Sequence, residues 1–159
     1  MPENAAKGLV LLFYSELFRN LEAAIECIGS TYVDHNDEKA GRGQEVLRAH
    51  VAAMRQTFPD FSIKIEDMIA EGDRVVTRVI GSGTHTGVWM QIEPTGSIVH
   101  VKGINIDRIA DGHIVEHWGE ADTIGMLMQM GVDPLCGATK HAVALMRPAW
   151  GPPIPDRQG

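Results

Sequence analysis

PTGSIVHVKGINIDRIADGHIVEHWGEADTIGMLMQMG, residues 94–131, is the stretch on which the fold turns. It holds two alternating runs, His100–Ile109 and His113–Gly119, joined by Ala110-Asp111-Gly112. The Asp-Gly pair signals a β-hairpin, because Gly112 can take a positive φ at no steric cost. A two-residue loop would pair Ala110 with His113 and set Asn105 opposite Trp118. A three-residue loop, with Gly112 as bulge residue, would pair Ile109 with His113 and Asn105 with His117. The second register is favoured because it sorts polar from apolar. It places Asn105, Asp107, His117 and Gly119 on one face, and Ile104, Ile106, Ile114 and Trp118 on the other. Beyond the hairpin, Thr123–Met130 reads as a Met- and Leu-rich helix stopped by Gly131 and Pro134. Asn105, Asp107, His117, Glu120 and Asp122 are thus gathered among Ile, Val and Trp, the mixture that a small-molecule pocket needs.

Working back towards the N-terminus, Lys7–Gly29 fits an amphipathic helix or a helix pair broken near Asn20. Its apolar face would be Leu9, Leu12, Phe13, Leu17, Leu21, Ile25 and Ile28. Thr31–Asn36 reads as a linking segment leading into a loop through Gly43. It is either a plain polar turn or the place where Asp34, His35 and Asn36 stand at a pocket mouth beside Tyr32. Gly43–Phe58 is a helix with Leu47, Val51, Met54 and Phe58 on one face and Pro59 as its stop. Phe61–Ala70 alternates as a strand, Glu71-Gly72-Asp73 turns, and Arg74–His85 is a long strand ending in GSGTHTG. The alternating glycines there suggest a close backbone approach or a bulge. Val88–Glu93 is expected as a further short strand carrying Trp89. Helices first and about four to six antiparallel strands afterwards give an α+β fold, with the helices packed on one face of a curved sheet.

The 159 residues suit one domain with a real core, and 44% hydrophobic with 22% charged residues is ordinary for a globular protein. A net charge of −7 argues against nucleic acid or an anionic membrane as partner. No run reaches the length of a membrane span, and no signal peptide is expected, since Glu16 and Arg19 interrupt the first apolar run. Two cysteines, Cys27 and Cys136, are too few for a disulfide framework and read as thiols in a reducing cytoplasm. After Val132, Lys140–Met146 could form a turn or two of helix. The Pro-rich end from Trp150 either frays or wraps over a neighbouring subunit.

The seven histidines are scattered without metal-ligand spacing, so no metal site is expected. No Gly-x-Gly-x-x-Gly links a strand to a helix, and no Ser or Cys sits in a nucleophile elbow. General acid–base or hydrogen-bonding work by His, Asp, Glu and Asn remains. A His in a half-apolar cavity can be tuned across neutral pH by a carboxylate, or it can merely satisfy backbone groups. Asp122 could equally cap the following helix, which leaves Glu120 the freer carboxylate. Met90, Met126, Met128 and Met130 read as pocket or core filler.

Taken in order, His35-Asn36, FPDF (58–61), EGDRVVTR (71–78), GTHTG (83–87), PTG (94–96), RIADGHIVEHWGEAD (108–122) and QMG (129–131) resemble the SnoaL-like polyketide cyclases over about Gly8 to Asp133. The resemblance implies a cone-shaped α+β barrel of the nuclear transport factor 2 superfamily, with N-terminal helices covering a pocket. It makes 1–135 the barrel domain and 136–159 a C-terminal extension. It implies catalysis without metal or organic cofactor on a hydrophobic polyketide, and a homo-oligomer, dimer or tetramer. The type reaction of the family is an intramolecular aldol closure with an aspartate as acid/base. That aspartate falls on Gly119 here and a pocket His falls on Asn105, whereas His85, His117 and Asp122 match. The expected function is therefore a cofactor-independent cyclase closing its ring by aldol or cycloaddition chemistry. Its catalytic residues would be His117, Asp107, Asn105 and Glu120, with Tyr32, His35, His85, Trp89 and Asp122 binding substrate. The alternatives are a hydroxylase-associated or epoxide-opening relative, or a non-catalytic carrier.

Overall fold

A computed structural model gives the structure of the protein and describes residues 1–36 and 41–132. The expected helix turn at 140–146, the Pro-rich end and Cys136 lie outside the described residues. The chain runs α1 (Glu3–Glu16), α2 (Leu21–Glu26), β1 (Ile28–Asp34), α3 (Gln44–Thr57), β2 (Ser62–Glu71), β3 (Arg74–Thr84), β4 (Ile98–Ala110), β5 (His113–Ala121) and α4 (Thr123–Gln129). The strands form one curved sheet in the order β1-β5-β4-β3-β2. The fold is α+β, as the order of helical and alternating segments indicated.

Two expectations about strands are corrected. Thr31–Asn36 is no linker, because residues 28–34 form β1, which pairs with β5 in parallel. A short strand with a β-bulge and mixed burial leaves no clean period of two to read. Val88–Glu93 is no strand either. Met90 and Gln91 take φ of 47° and 66°, closing a tight turn held by the bridge between Trp89 and Ile92.

The hairpin combines features of both proposed registers. Asp111 and Gly112 take φ of 50° and 78°, a two-residue turn whose twist matches the flanking strands. Ala110 therefore pairs with His113 and Ile109 with Ile114. A bulge at Val115 then advances β5 by one residue, so Asp107 faces His117 and Asn105 faces Gly119. Asn105, Asp107, His117 and Gly119 do share a face. Ile114 departs from the expected outer set and is fully buried in the core with Ile109.

The helices cover the concave side of the sheet. α1 and α2 are a helix pair, and the Asn20 side chain between them accepts from Ala23 N to cap the second. α1 buries Ala6, Val10, Phe13 and Tyr14, with Leu17 buried at its C-cap; Leu12, expected inside, is half exposed. These side chains pack with Val46, Leu47 and Val51 of α3 against Val75, Ile109 and Ile114. Each such apolar side chain contributes about 1.5–3 kcal/mol on burial. A second cluster of Phe58, Val99, Met126, Leu127 and Met130 closes the other end. Met90 and Met128, by contrast, are exposed. The glycines of GSGTHTG mark a close approach: a Cβ on Gly81 or Gly83 would meet the Phe61 ring at 2.6 or 2.9 Å. No helix among the described residues is long and apolar enough to cross a membrane.

Candidate active site

Between the two clusters lies a cavity of about 430 Å³. Phe13, Leu17, Phe18, Leu47, Met54, Phe58, Phe61, Ile63, Val79, Val101 and Met126 make its wall apolar. Most of its polar groups come from one region, where β4 and β5 meet the end of β1 (Tyr32, Asp34, Asn36, Asn105, His117 and Glu120), and Tyr14 of α1, His50 of α3 and Thr123 of α4 add to them.

The bulge at Val115 builds the centre of this region. It sets His117 directly across from Asp107, and His117 Nδ1 lies 2.8 Å from Asp107 Oδ1. A carboxylate oxygen accepts, so Nδ1 carries the hydrogen and Nε2 is left for the cavity. The other oxygen, Asp107 Oδ2, accepts from the Tyr14 hydroxyl at 2.9 Å. Asp107 is fully buried and lies behind the cavity lining, where it fixes the ring of His117.

Burial lowers the pKa of His117, but the hydrogen bond and charge of Asp107, with Asp34 adding, outweigh it. The net result is a pKa above the ordinary 6.5. Burial, and then the charge of Asp107, push the Tyr14 hydroxyl well up. Tyr32 is also raised, by burial first and then by Asp34 and Asp107. Both phenols therefore stay neutral, and the imidazole is the group poised to exchange a proton near neutral pH.

Of the residues expected at the site, Asn105, His117, Glu120, Tyr32 and Trp89 line the cavity, and Asp107 supports it from behind. His85, His35 and Asp122 are placed elsewhere. His85 is fully buried against Phe58, with Nδ1 at 3.0 Å from Thr95 Oγ1, because its strand end turns under the 86–97 loop. His35 lies on the outer face of the sheet, stacked on Trp118 with ring centroids 4.5 Å apart. The alternation of β1 that sends Tyr32 and Asp34 inward sends His35 outward. Asp122 accepts from Gly125 N at 2.8 Å and caps α4, the simpler of its two readings. Tyr14 was missed as a site residue. Its place on the buried stripe of α1 was the available signal, since a phenol buried there needs a polar partner. Among the described residues, no three His, Cys, Asp or Glu side chains converge to hold a metal ion.

Helices over the concave side of a curved sheet, enclosing an apolar cavity, are the ketosteroid isomerase-like α+β architecture. The model of the SnoaL-like polyketide cyclases matches residues 8–130, and the chain belongs to that family. A search of the curated proteins finds no match. Among solved structures, TsrD from Streptomyces laurentii is 27% identical with a TM-score of 0.77, over 84% of this chain and 99% of that one. IdmH from Streptomyces antibioticus, provisionally named a polyketide cyclase, is 31% identical with a TM-score of 0.71, over 80% and 99%. AclR from Streptomyces galilaeus, provisionally named a hydroxylase, is 25% identical with a TM-score of 0.71, over 81% and 97%.

Proposed function

We propose that this chain is a cofactor-independent cyclase that closes a ring in a polyketide-type natural-product intermediate by aldol-type carbon–carbon bond formation. The observation that carries the reading is the 2.8 Å contact between His117 and the buried Asp107 at the floor of an apolar cavity. Neutral His117 takes a proton at Nε2 from an activated methylene carbon. The electron pair left on that carbon forms the new bond to a carbonyl carbon of the same molecule. The carbonyl π pair moves to its oxygen, which receives the proton back from Nε2. Nothing is gained or lost, so the product is an isomer of the substrate. Asp107 and Tyr14 keep the imidazole in one tautomer and orientation throughout, and the apolar wall folds the chain so that its two ends meet. Holding reacting groups together in this way can remove on the order of 7–11 kcal/mol of a barrier. Glu120 stands in the same lining and is exposed enough to exchange the proton with water.

Incubation with a linear poly-β-ketone analogue should give an isomeric product, or that product less one water after dehydration. The likeness to AclR favours one rival outcome, the gain of one oxygen, and a gain of one water would mean hydrolytic opening. Binding without turnover would leave a carrier. The reading includes a homodimer joined through the outer face of the sheet, where Ile69, Ile98 and Ile104 are more than half exposed. Sedimentation of a monomer at working concentration would remove that part.

A further inference from the structure

Three polar side-chain atoms from three different strands or strand ends converge above Gly119. A Cβ at this position would stand 2.7 Å from Asn105 Oδ1, 3.1 Å from Asn36 Nδ2 and 3.1 Å from His117 Nε2. The glycine is there for space, since any side chain would displace this cluster. The orientation of each amide follows from its partners. Asn36, just past the end of β1, accepts from Gly119 N–H through Oδ1 at 2.9 Å, so its Nδ2 must be the end turned to the cavity. The single hydroxyl hydrogen of Tyr14 goes to Asp107, and Asn105 sets its Oδ1 over Gly119. His117 Nε2 completes the set and donates whenever the ring is protonated.

We infer that Asn36 is a substrate-polarising residue, and that the space over Gly119 receives a 1,3-dicarbonyl unit in its enol form. One oxygen lies on the Nδ2–H of Asn36 and on His117 Nε2, and the neighbouring enol hydroxyl donates to Asn105 Oδ1. Two donors beside one acceptor match that ligand and neither a plain ketone nor a carboxylate, which would set like charge or lone pairs against Asn105 Oδ1. The identity of the oxygen rests on the cyclase reading, while the donor and acceptor assignments rest on geometry alone. When neutral His117 removes a proton from the methylene on the far side of that carbonyl, negative charge develops on the oxygen held by Asn36, and the proton now on Nε2 makes His117 its second donor. Preorganised donors stabilise such charge, and losing one donor costs up to about 10²–10³-fold in turnover.

The test uses benzoylacetone, whose enol and diketone forms are distinguished by ultraviolet absorption, and butylbenzene as a control without oxygen. Each is titrated against the wild-type chain and against Asn36→Leu and Asn36→Asp. Asn36→Leu should weaken benzoylacetone binding at least about tenfold and leave butylbenzene binding unchanged. Asn36→Asp, which keeps the acceptor for Gly119 N–H, should bind the enol no better than Asn36→Leu does. The enol share of bound benzoylacetone should be higher in the wild type than in either variant. The inference is overturned if the wild type does not bind benzoylacetone, if Asn36→Leu binds it as tightly as the wild type, or if both ligands weaken alike. Asn36-dependent enol binding by a protein that cyclises nothing would sink the cyclase reading alone. Cyclisation that survives Asn36→Leu unchanged would sink only this inference.

Discussion

His117 meets Asp107 at 2.8 Å inside the cavity, and His35 meets Glu116 at 3.6 Å on the opposite face of the same sheet. The two pairs are built from neighbouring residues of β1, β4 and β5, yet their surroundings differ. The Asp107 side chain is fully buried and that of His117 is 13% exposed, against 27% for Glu116 and 34% for His35. Glu116 is also held by Arg108, whose hydrogen bond keeps its carboxyl below the usual range before His35 adds anything. His35 spreads its ring on Trp118, and Arg74 lies 5.6 Å from the centre of that same indole. The outer pair is one link in a partly exposed network with Arg108 and Arg74, whereas the inner pair is shut in beneath the Tyr14 hydroxyl. Burial turns a histidine–carboxylate pair from a surface contact into a proton-handling device.

The largest expected break in this comparison is catalytic. His117→Ala should lower turnover by about 10²–10⁴-fold with little change in KM, whereas His35→Ala should stay within a few-fold. Steady-state kinetics on a linear poly-β-ketone decides this, and equal losses from the two variants would end the distinction. Asp107→Ala should come next, destabilising the fold by about 3–5 kcal/mol in urea unfolding, since it strands the Tyr14 hydroxyl and His117 together. Asp122→Ala should cost about 1 kcal/mol as a lost helix cap and leave KM alone, and a raised KM would return Asp122 to the binding site. Glu116→Gln should be smallest, within about 1 kcal/mol, and smaller still at high salt.

The pH dependence sharpens the same contrast. The folded pKa of His117 is raised, so its stabilising contribution is fully present below the unfolded value, about 6.5, and is lost as pH rises through the folded one. Urea midpoints should fall across that window in the wild type and fall less in His117→Gln. Proton abstraction needs neutral His117, so kcat/KM should climb with a midpoint above 6.5. Asp107→Asn should move that midpoint down, while Glu116→Gln should leave it in place.

Much of this was legible in the residues, and the misses have physical causes. The hairpin was readable from Asp111-Gly112 because a turn of two positive-φ residues is a local property. Its register was not, because the bulge at Val115 depends on what Ile114 and His117 each pack against. α1 and α3 showed their stripes, but Leu12 fell on the exposed side once α1 was docked. β1 was hidden because its pairing to β5 is made at long range, and with β1 unseen His35 could not be told apart from Tyr32 and Asn36. His85 and His117 looked alike in sequence; one ended under a loop and the other at the cavity.

The chain's own sequence determined the class of fold, the two hairpin strands, the helix stops and the pool of polar residues from which the site is drawn. These follow from periodicity, turn chemistry and capping, which act over a few residues. Tertiary structure alone decided which of those residues meet: Tyr14 with Asp107 across 93 positions, and Asn36 with Gly119 across 83. Such contacts exist only after the helices have closed over the sheet, because burial supplies the dry surroundings in which one carboxylate can command one imidazole.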